Sequence, residues 1–155
     1  MSTTPQIRPM RPEDLTSVME IERVAYSTPW PESSFRGLLT RTDTYLIVAE
    51  IEEPKGGGPQ IVGYAASWAV LGQGELGNIA VKPQWQHKGV GRRLLESVVE
   101  AMREIRVTEL FLEVRVTNLI AQRLYQSFGF RPIGIRHAYY SKPTEDAIVM
   151  RLDLD

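Results

Sequence analysis

The sequence predicts an α+β fold in which one mixed β-sheet carries helices on both faces. Three observations support this prediction. Runs rich in Val, Ile and aromatic residues recur at strand length along the chain. In the second half, two helical segments alternate with strands, a pattern that indicates partly parallel pairing. The chain has 155 residues, the size of one ordinary domain. We therefore expect residues 1–155 to form a single domain with the order β-α-α-β-β-β-α-β-α-β-β.

The first half predicts two helices followed by strands. The segment Pro-Glu-Asp at residues 12–14 favours a helix start, because proline suits a first turn and acids suit the positive end of the helix dipole. This helix should end before Pro29, and a shorter one should run from Trp30 to about Leu39. Residues 54–59, which are rich in glycine and proline, predict a flexible hairpin loop. Strands are expected near residues 44–51, 60–71 and 75–82.

The second half predicts the longest helix and four further elements. This helix should run from about Gly89 to Glu104, because apolar residues recur there at helical spacing. The residues of this apolar stripe are Leu94, Leu95, Val98, Val99 and Met102. The other elements are a strand at Thr108–Val116, a helix at Asn118–Phe128, and closing strands at Phe130–Tyr140 and Ala147–Leu154.

The composition excludes several kinds of site and partner. Without cysteine, the chain forms no disulfide, uses no thiolate nucleophile and holds no cysteine-ligated metal. A formal charge of -1, from 18 Lys and Arg against 19 Asp and Glu, argues against a nucleic-acid partner. His87 and His137 lie far apart with no carboxylate at ligand spacing, so no metal site is expected. Since no apolar run is long enough for a signal or a membrane helix, we expect a cytoplasmic protein without a membrane partner.

A short loop between a strand and the longest helix carries the most informative motif, Gln86-x-x-Gly89-x-Gly91. Backbone N–H groups at a helix start are unpaired and point outward with the helix dipole behind them, which makes an anion site. Glycine allows a ligand to approach the backbone closely. Lys88 and Arg92 add positive charge. The loop therefore predicts a diphosphate ligand.

The loop lacks the features of two other glycine-rich motifs. A dinucleotide-binding fingerprint would need glycine three positions after Gly91, where the sequence has Leu94. A nucleotide-binding Walker A loop would need G-x-x-x-x-G-K-[ST], which is absent. A purely structural role, with glycines serving a tight turn, remains an alternative for the loop taken alone.

The loop and its surroundings resemble motif A of the GNAT superfamily, and the likeness extends from Ile7 to the C-terminus. It is strongest to the bacterial ribosomal-protein alanine N-acetyltransferases. The strings that carry it are Asn78-Ile79-Ala80-Val81, Leu112-Glu113-Val114-Arg115, Leu124-Tyr125-x-x-Phe128-Gly129-Phe130, Arg136-x-x-Tyr139-Tyr140 and Glu145-Asp146-Ala147-x-x-Met150. The resemblance implies a mixed, mostly antiparallel sheet of about seven strands with about four helices on both faces.

The resemblance also implies acetyl-CoA as co-substrate, with no metal. The strand at Ile79, Ala80 and Val81 would offer backbone groups to the pantetheine arm and the thioester carbonyl. The coenzyme pyrophosphate would lie on the motif-A residues Gln86, His87, Lys88, Gly89, Val90, Gly91 and Arg92. Asn118 resembles a coenzyme-contacting asparagine of the family, although a helix cap alone would also explain it.

Glu113 and Tyr125 are the candidate catalytic residues. Glu113 lies in a nearly continuous apolar strand, which predicts a strand covered on both faces of the sheet. A carboxylate there is costly unless paired and often has a raised pKa. The resemblance assigns it as general base; the alternative is an ion pair with Arg115 or Arg123, or a strand end in solvent. The resemblance assigns Tyr125 as general acid for the departing thiolate, whereas its spacing from Phe128 alone would suggest two core aromatics.

The candidate acceptor residues are Tyr26, Trp30, Arg136, Tyr139 and Tyr140, since the resemblance places the segment between the first two helices and the last hairpin beside the incoming N-terminus. The alternative is that Trp30 packs on the second helix and the tyrosines fill sheet edges. We expect acetyl transfer to a protein or peptide N-terminus, which the resemblance suggests is that of a small-subunit ribosomal protein beginning with alanine. Alternatives are a lysine or small-amine acetyltransferase, or a non-catalytic acyl-CoA-binding module.

Overall fold

A computed structural model describes residues 4–53 and 56–154. Its elements follow the predicted order, with boundaries that shift by one to three residues. A 3₁₀ turn at Pro12–Asp14 occupies the predicted helix start, and the first α-helix begins directly after it at Leu15. The strands are β1 (Gln6–Pro9), β2 (Thr44–Glu52), β3 (Pro59–Val70), β4 (Gln73–Val81), β5 (Glu109–Arg115), β6 (Arg131–Tyr140) and β7 (Glu145–Asp153), and the helices are α1 (Leu15–Ala25), α2 (Glu32–Leu39), α3 (Val90–Glu104) and α4 (Leu119–Ser127).

All seven strands belong to one sheet with the order β1-β2-β3-β4-β5-β7-β6. Every neighbouring pair is antiparallel except β4 and β5, which are parallel. The parallel pair is joined through α3, as expected for a strand–helix–strand crossover. The predicted mixed, mostly antiparallel sheet of seven strands with four helices is thus confirmed.

The two faces of the sheet carry separate hydrophobic cores. On one face, the apolar stripe of α3 packs on β2, β3 and β4, and α4 adds Leu124 and Tyr125. On the other face, α1 and α2 pack on the opposite side chains of β2 and β3, with Phe35 and Tyr64 fully buried. Because side chains alternate along a strand, one run such as Leu46–Ala49 supplies both cores. The predicted placement of helices on both faces is confirmed.

The parallel strands β4 and β5 separate partway along their length. β4 and β5 pair only from Gln73/Glu109 to Glu75/Phe111, although both strands continue for several residues. Just beyond the last pair, Gly77 has no partner on β3, which is a β-bulge that bends β4 away. The second half of β4 and the end of β5 therefore face an open gap.

One expectation about β5 was wrong. The strand was predicted to be covered on both faces, but its side chains alternate strictly between buried and half-buried. Leu110, Leu112 and Val114 enter the core, whereas Glu113 and Arg115 lie on the face that the gap leaves open. The apolar residue Phe111 on that second face made the sequence resemble a fully covered strand.

Of the predicted hairpin loop, Pro54 and Lys55 lie outside the described residues. The strands on either side of it, β2 and β3, pair in antiparallel register as a hairpin requires. Within residues 4–53 and 56–154, none of the helices has both the length and the apolar character needed to cross a membrane.

Candidate active site

The gap between β4 and β5 opens into a cavity of about 550 Å³. The cavity collects side chains from the segment between α1 and α2, from β3, β4, β5 and α4, and from the β6–β7 hairpin. The lining residues that the sequence analysis singled out are Tyr26, Trp30, Ile79, Glu113, Tyr125, Tyr139 and Tyr140. The two candidate catalytic residues and four of the five candidate acceptor residues thus meet at one place.

Glu113 projects from β5 into this cavity with 17% of its side chain exposed. Glu113 forms an ion pair, as the alternative interpretation expected, but its partner is Arg136 on β6, with Nε 3.3 Å from Oε1, rather than Arg115 or Arg123. Partial burial and the nearby charge of Glu75 raise the pKa of the Glu113 carboxyl, while Arg136 acts in the opposite direction. A carboxylate that is partly dry and only loosely paired is suited to accept a proton.

Tyr125 reaches the cavity from α4, on the opposite side of the gap from β4. Its ring is buried and packs edge-on against Phe130, with ring centroids 5.8 Å apart. Burial raises the pKa of the phenol, so the hydroxyl keeps its proton at neutral pH. Among the described residues, no side chain or backbone group hydrogen-bonds to this hydroxyl. It is therefore free to donate to a bound group.

Tyr26 lies deeper than expected for a residue that contacts an acceptor. Its hydroxyl is 3.0 Å from the carbonyl oxygen of Ile79 and 3.2 Å from its amide nitrogen. The hydroxyl thus covers the edge of β4 that β5 leaves unpaired, at the residue expected to face the thioester. Burial raises the pKa of this phenol, and the nearby carboxylate of Glu22 adds to the effect. Tyr26 thus lines the cavity and also connects the end of α1 to β4.

Trp30 and Trp68 form an aromatic wall of the cavity over Gly77. Their ring centroids lie 6.2 Å apart, and Trp30 also packs on Phe35 of α2 at 5.3 Å. A side chain at position 77 would collide with both indoles, so glycine is required there by packing. Trp30 therefore packs on α2 and also lines the cavity, so both interpretations from the sequence apply to it. Trp68 was not identified from the sequence as a site residue.

Glu22 is a buried carboxylate on the core-facing side of α1. Its oxygens accept hydrogen bonds from the Trp30 amide at 2.8 Å, from Asn78 Nδ2 at 3.0 Å and from the Tyr64 hydroxyl. These contacts hold the α1–α2 segment against β4. An acidic residue at an apolar position of a helix was the signal that could have identified it.

The glycine loop lies at the far end of β4, before α3. Gly89 is the residue that precedes α3 and has φ +84°, a left-handed conformation that favours glycine. Gly91 differs, because a Cβ there would meet only Leu124 and Val81 at the ordinary distances of 3.7 and 3.9 Å. Neither backbone geometry nor packing within the chain thus demands glycine at position 91. A ligand that approaches the helix start would explain it.

The other predicted coenzyme residues surround this helix start. Gln86 Nε2 donates to the Val81 carbonyl at 3.3 Å, and the Lys88 ammonium lies over the Trp85 ring. Val90 is buried, so only its backbone is available to a ligand. Arg92 contacts α4 through the Ser127 hydroxyl at 3.0 Å and the Phe128 ring. His87 is exposed with φ +63°.

Two further residues from the sequence analysis have simple structural settings. Asn118 caps α4, with Oδ1 accepting from the Ala121 amide at 3.2 Å, as the alternative interpretation expected. His137 is well exposed on β6 and lies 3.3 Å from Asp146. In the described part of the chain, no three His, Asp or Glu side chains are grouped as a metal would need.

Known proteins share this arrangement along nearly the whole chain. A protein of Bacillus subtilis (strain 168) is 39% identical over 151 residues, which cover 97% of this chain and 96% of that protein. The [ribosomal protein bS18]-alanine N-acetyltransferase of Salmonella typhimurium is 36% identical over 143 residues, covering 91% and 92%. The crystal structure of the ribosomal-protein-S18-alanine N-acetyltransferase from Escherichia coli superposes with a TM-score of 0.84 at 32% identity, covering 97% and 94%.

A family model describes the same region. It matches residues 15–130, from the start of α1 to the start of β6, and so contains the glycine loop, Glu113 and Tyr125. The match, the relatives and the geometry of the separated strands agree. The chain belongs to the acetyltransferase (GNAT) family.

Proposed function

We propose that the protein, acting as one domain, transfers an acetyl group from acetyl-CoA to the N-terminal α-amine of a protein. The observation that carries this proposal is the cavity at the separated strands, which Glu113 and the free hydroxyl of Tyr125 both line. The family membership supports acetyl transfer, and relatives named as ribosomal protein bS18-alanine N-acetyltransferases support an N-terminal acceptor.

The donor would lie along β4 and the start of α3. The glycine-rich helix start would hold the pyrophosphate, since its amides point outward and Gly91 leaves room for close approach. Residues two apart in a strand direct their backbone groups the same way, so Val81 faces the same open edge as Ile79. The Val81 groups are placed to receive the pantetheine arm and to direct the thioester into the cavity, whereas the Tyr26 hydroxyl already contacts both backbone groups of Ile79.

The chemical step would be a direct attack in a ternary complex. Glu113 accepts a proton from the acceptor ammonium, directly or through water, and the neutral amine attacks the thioester carbonyl carbon. The carbon–sulfur bond then breaks, and the departing thiolate takes a proton from Tyr125. After attack, the nitrogen still carries one proton more than the amide product and releases this second proton as the thiol leaves. Because the raised pKa of Tyr125 makes a free phenolate costly, this second proton returns to the tyrosine, while the proton on Glu113 passes to solvent. The absence of cysteine disfavours an acyl-enzyme intermediate on a thiol.

The chemistry of the base favours an α-amine over lysine. An α-amine has a reference pKa of about 7.7–8.0, so an appreciable fraction is already neutral near pH 7, whereas lysine near 10.4 is almost wholly charged. The aromatic wall and the tyrosines of β6 offer a chain end a rigid surface. A ribosomal protein with an N-terminal alanine is the specific acceptor that the relatives suggest, with relaxed choice of N-terminus as the alternative.

The test is acetyl transfer, followed by thiol release, to two matched peptide sets. One set carries a free N-terminal alanine, serine or methionine with lysines blocked; the other carries a blocked N-terminus and free lysine. Turnover on free N-termini alone, with a large loss in Tyr125→Phe, is the expected result. Turnover on lysine alone would contradict the proposal and favour the lysine acetyltransferase alternative. Tight acetyl-CoA binding with no turnover on either set would favour a binding module.

A further inference from the structure

Two segments border the mouth of the cavity, and both contact one arginine. The α1–α2 segment (residues 26–31) carries Tyr26 and Trp30, and the β6–β7 turn (residues 141–144) follows Tyr140. They meet directly where the Ser27 hydroxyl lies 3.3 Å from the Ser141 carbonyl oxygen. Arg115, at the end of β5, lies beneath this junction.

Arg115 contacts both segments with its guanidinium. Nη2 donates to the Ser27 hydroxyl and to the Ser141 carbonyl, each at 3.0 Å. Nη1 donates to the Pro143 carbonyl at 3.1 Å and to Glu145 Oε1 at 3.0 Å. The guanidinium carbon also lies 4.4 Å from the centre of the Tyr140 ring. The terminal N–H groups of one side chain thus join β5, the α1–α2 segment and the hairpin.

The charge of Arg115 is already balanced within the protein. Glu145 accepts from Nη1 with one oxygen, and its other oxygen accepts from the Thr117 amide at 2.8 Å and the Thr117 hydroxyl at 2.6 Å. These hydrogen bonds, together with Arg115, hold the pKa of the Glu145 carboxyl below its ordinary value, so the pair stays charged at neutral pH. Arg115 is therefore occupied by internal contacts and is not set up to bind a substrate carboxylate.

We propose that Arg115 is a positioning residue for the acceptor: it fixes the distance between the α1–α2 segment and the β6–β7 turn, and so the width of the groove for the acceptor. The inference rests on the proposed function, because it assigns these two segments to the acceptor. A planar guanidinium makes four directed bonds at once, which a lysine ammonium on the same strand does not reproduce. The acceptor affinity should therefore depend on arginine itself rather than on positive charge.

The first test compares Michaelis constants in Arg115→Lys. We expect the KM for the N-terminal peptide to rise about tenfold, because small displacements of binding elements cost this much or more, while the KM for acetyl-CoA stays within about twofold. The matched control is Arg131→Lys, since Arg131 pairs with Asp153 on the same sheet but away from the cavity. An unchanged peptide KM in Arg115→Lys, or an equal rise for both substrates, would overturn the inference.

The second test restores the junction by a covalent bond. The Thr28 and Ser141 hydroxyl oxygens lie 3.2 Å apart, and the chain has no cysteine of its own, so Thr28→Cys with Ser141→Cys can pair only with each other. Combined with Arg115→Lys, the oxidised protein should recover most of the lost peptide KM, and the reduced protein should not. A disulfide that forms without restoring the peptide KM would contradict the spacing role of Arg115. Failure of the two cysteines to form a disulfide when Arg115 is retained would contradict the contact between the two segments.

The native protein, assayed alongside, separates this inference from the proposed function. No transfer by the native protein to any N-terminal peptide counts against the proposed function. Transfer by the native protein together with an unchanged peptide KM in Arg115→Lys counts against Arg115 alone.

Discussion

The donor and acceptor sides of this site are built in opposite ways. The donor side is one continuous stretch, from the end of β4 through Gly89 and Gly91 into α3, and its shape follows from backbone conformation. The acceptor side joins distant segments by side-chain contacts: Glu113 pairs with Arg136, and Ser27 meets Ser141 across 114 positions of sequence. Local sequence specifies the first, whereas tertiary contacts specify the second.

This difference determines how each side should respond to substitution. A change in the donor loop should alter coenzyme affinity and leave the acceptor unaffected. A change on the acceptor side should leave coenzyme binding intact, unless it reaches Glu22 or Tyr26, whose contacts with β4 link the two sides.

The largest expected effect is that of Glu113→Gln. Loss of a general base typically costs about 10²–10⁴-fold in rate, so kcat should fall in that range while acetyl-CoA still binds. Steady-state kinetics with an N-terminal peptide and calorimetric titration with acetyl-CoA measure the two quantities. If coenzyme binding fell with the rate, the separation of donor and acceptor sides would be wrong. A rate that stayed within a few-fold of the native value would exclude Glu113 as the base.

Glu22→Ala should have the next largest effect, on stability. The change leaves the Trp30 amide, Asn78 and the Tyr64 hydroxyl without their buried acceptor, and unsatisfied buried groups cost about 1–3 kcal/mol each. We expect the free energy of unfolding to fall by about 2–4 kcal/mol in denaturant titrations. Glu20→Ala, an exposed position on the same helix, is the control and should change it little. Equal losses in the two variants would show that the network contributes no stability.

The pair Gly91→Ala and Gly89→Ala tests the donor side. Gly91→Ala should raise the KM for acetyl-CoA about tenfold with little loss of stability, because the chain itself accommodates the new methyl group. Gly89→Ala should destabilise the protein by about 1–2 kcal/mol, because its φ of +84° strains other residues. Thermal unfolding and coenzyme kinetics on both variants distinguish the two glycines. An unchanged coenzyme KM in Gly91→Ala would mean that no ligand approaches this position closely.

The smallest effect concerns the acidic limb of the pH–rate profile. Glu113 must be deprotonated to act as base, so activity falls as the pH drops through its pKa. Because Glu75 raises that pKa and Arg136 lowers it, Glu75→Gln should move the limb to lower pH and Arg136→Gln to higher pH. The measurement is kcat/KM against pH for the three proteins. Shifts in the same direction for both variants would remove Glu113 as the source of the limb.

Much of the fold was predictable because local signals and tertiary structure agree. The stripe of α3 and the proline at position 12 placed those elements within a few residues. The candidate catalytic pair and the glycine loop could be proposed from the sequence because family motifs are short and continuous. The expectation for β5 failed because an apolar residue such as Phe111 does not reveal whether its face of the sheet is fully covered.

The residues that sequence analysis missed are those whose roles arise from distant contacts. Arg115 was considered only as a partner of Glu113, two positions away on the same face, whereas its partners lie at positions 27 and 141–145. Trp68 was hidden in an ordinary strand pattern, and its place in the site depends on a bulge at Gly77. No periodicity or motif in one sequence specifies such pairings.

The three tryptophans give this enzyme its own optical reporters. Trp30 and Trp68 stand together in the acceptor wall, while Trp85 lies apart beside Lys88 at the glycine loop. In Trp85→Phe, the remaining indole emission would come from the acceptor side alone, and in a variant with both Trp30→Phe and Trp68→Phe it would come from the donor side alone. Stopped-flow mixing of each variant with coenzyme or peptide would then show, without any attached dye, which of the two substrates arrives first.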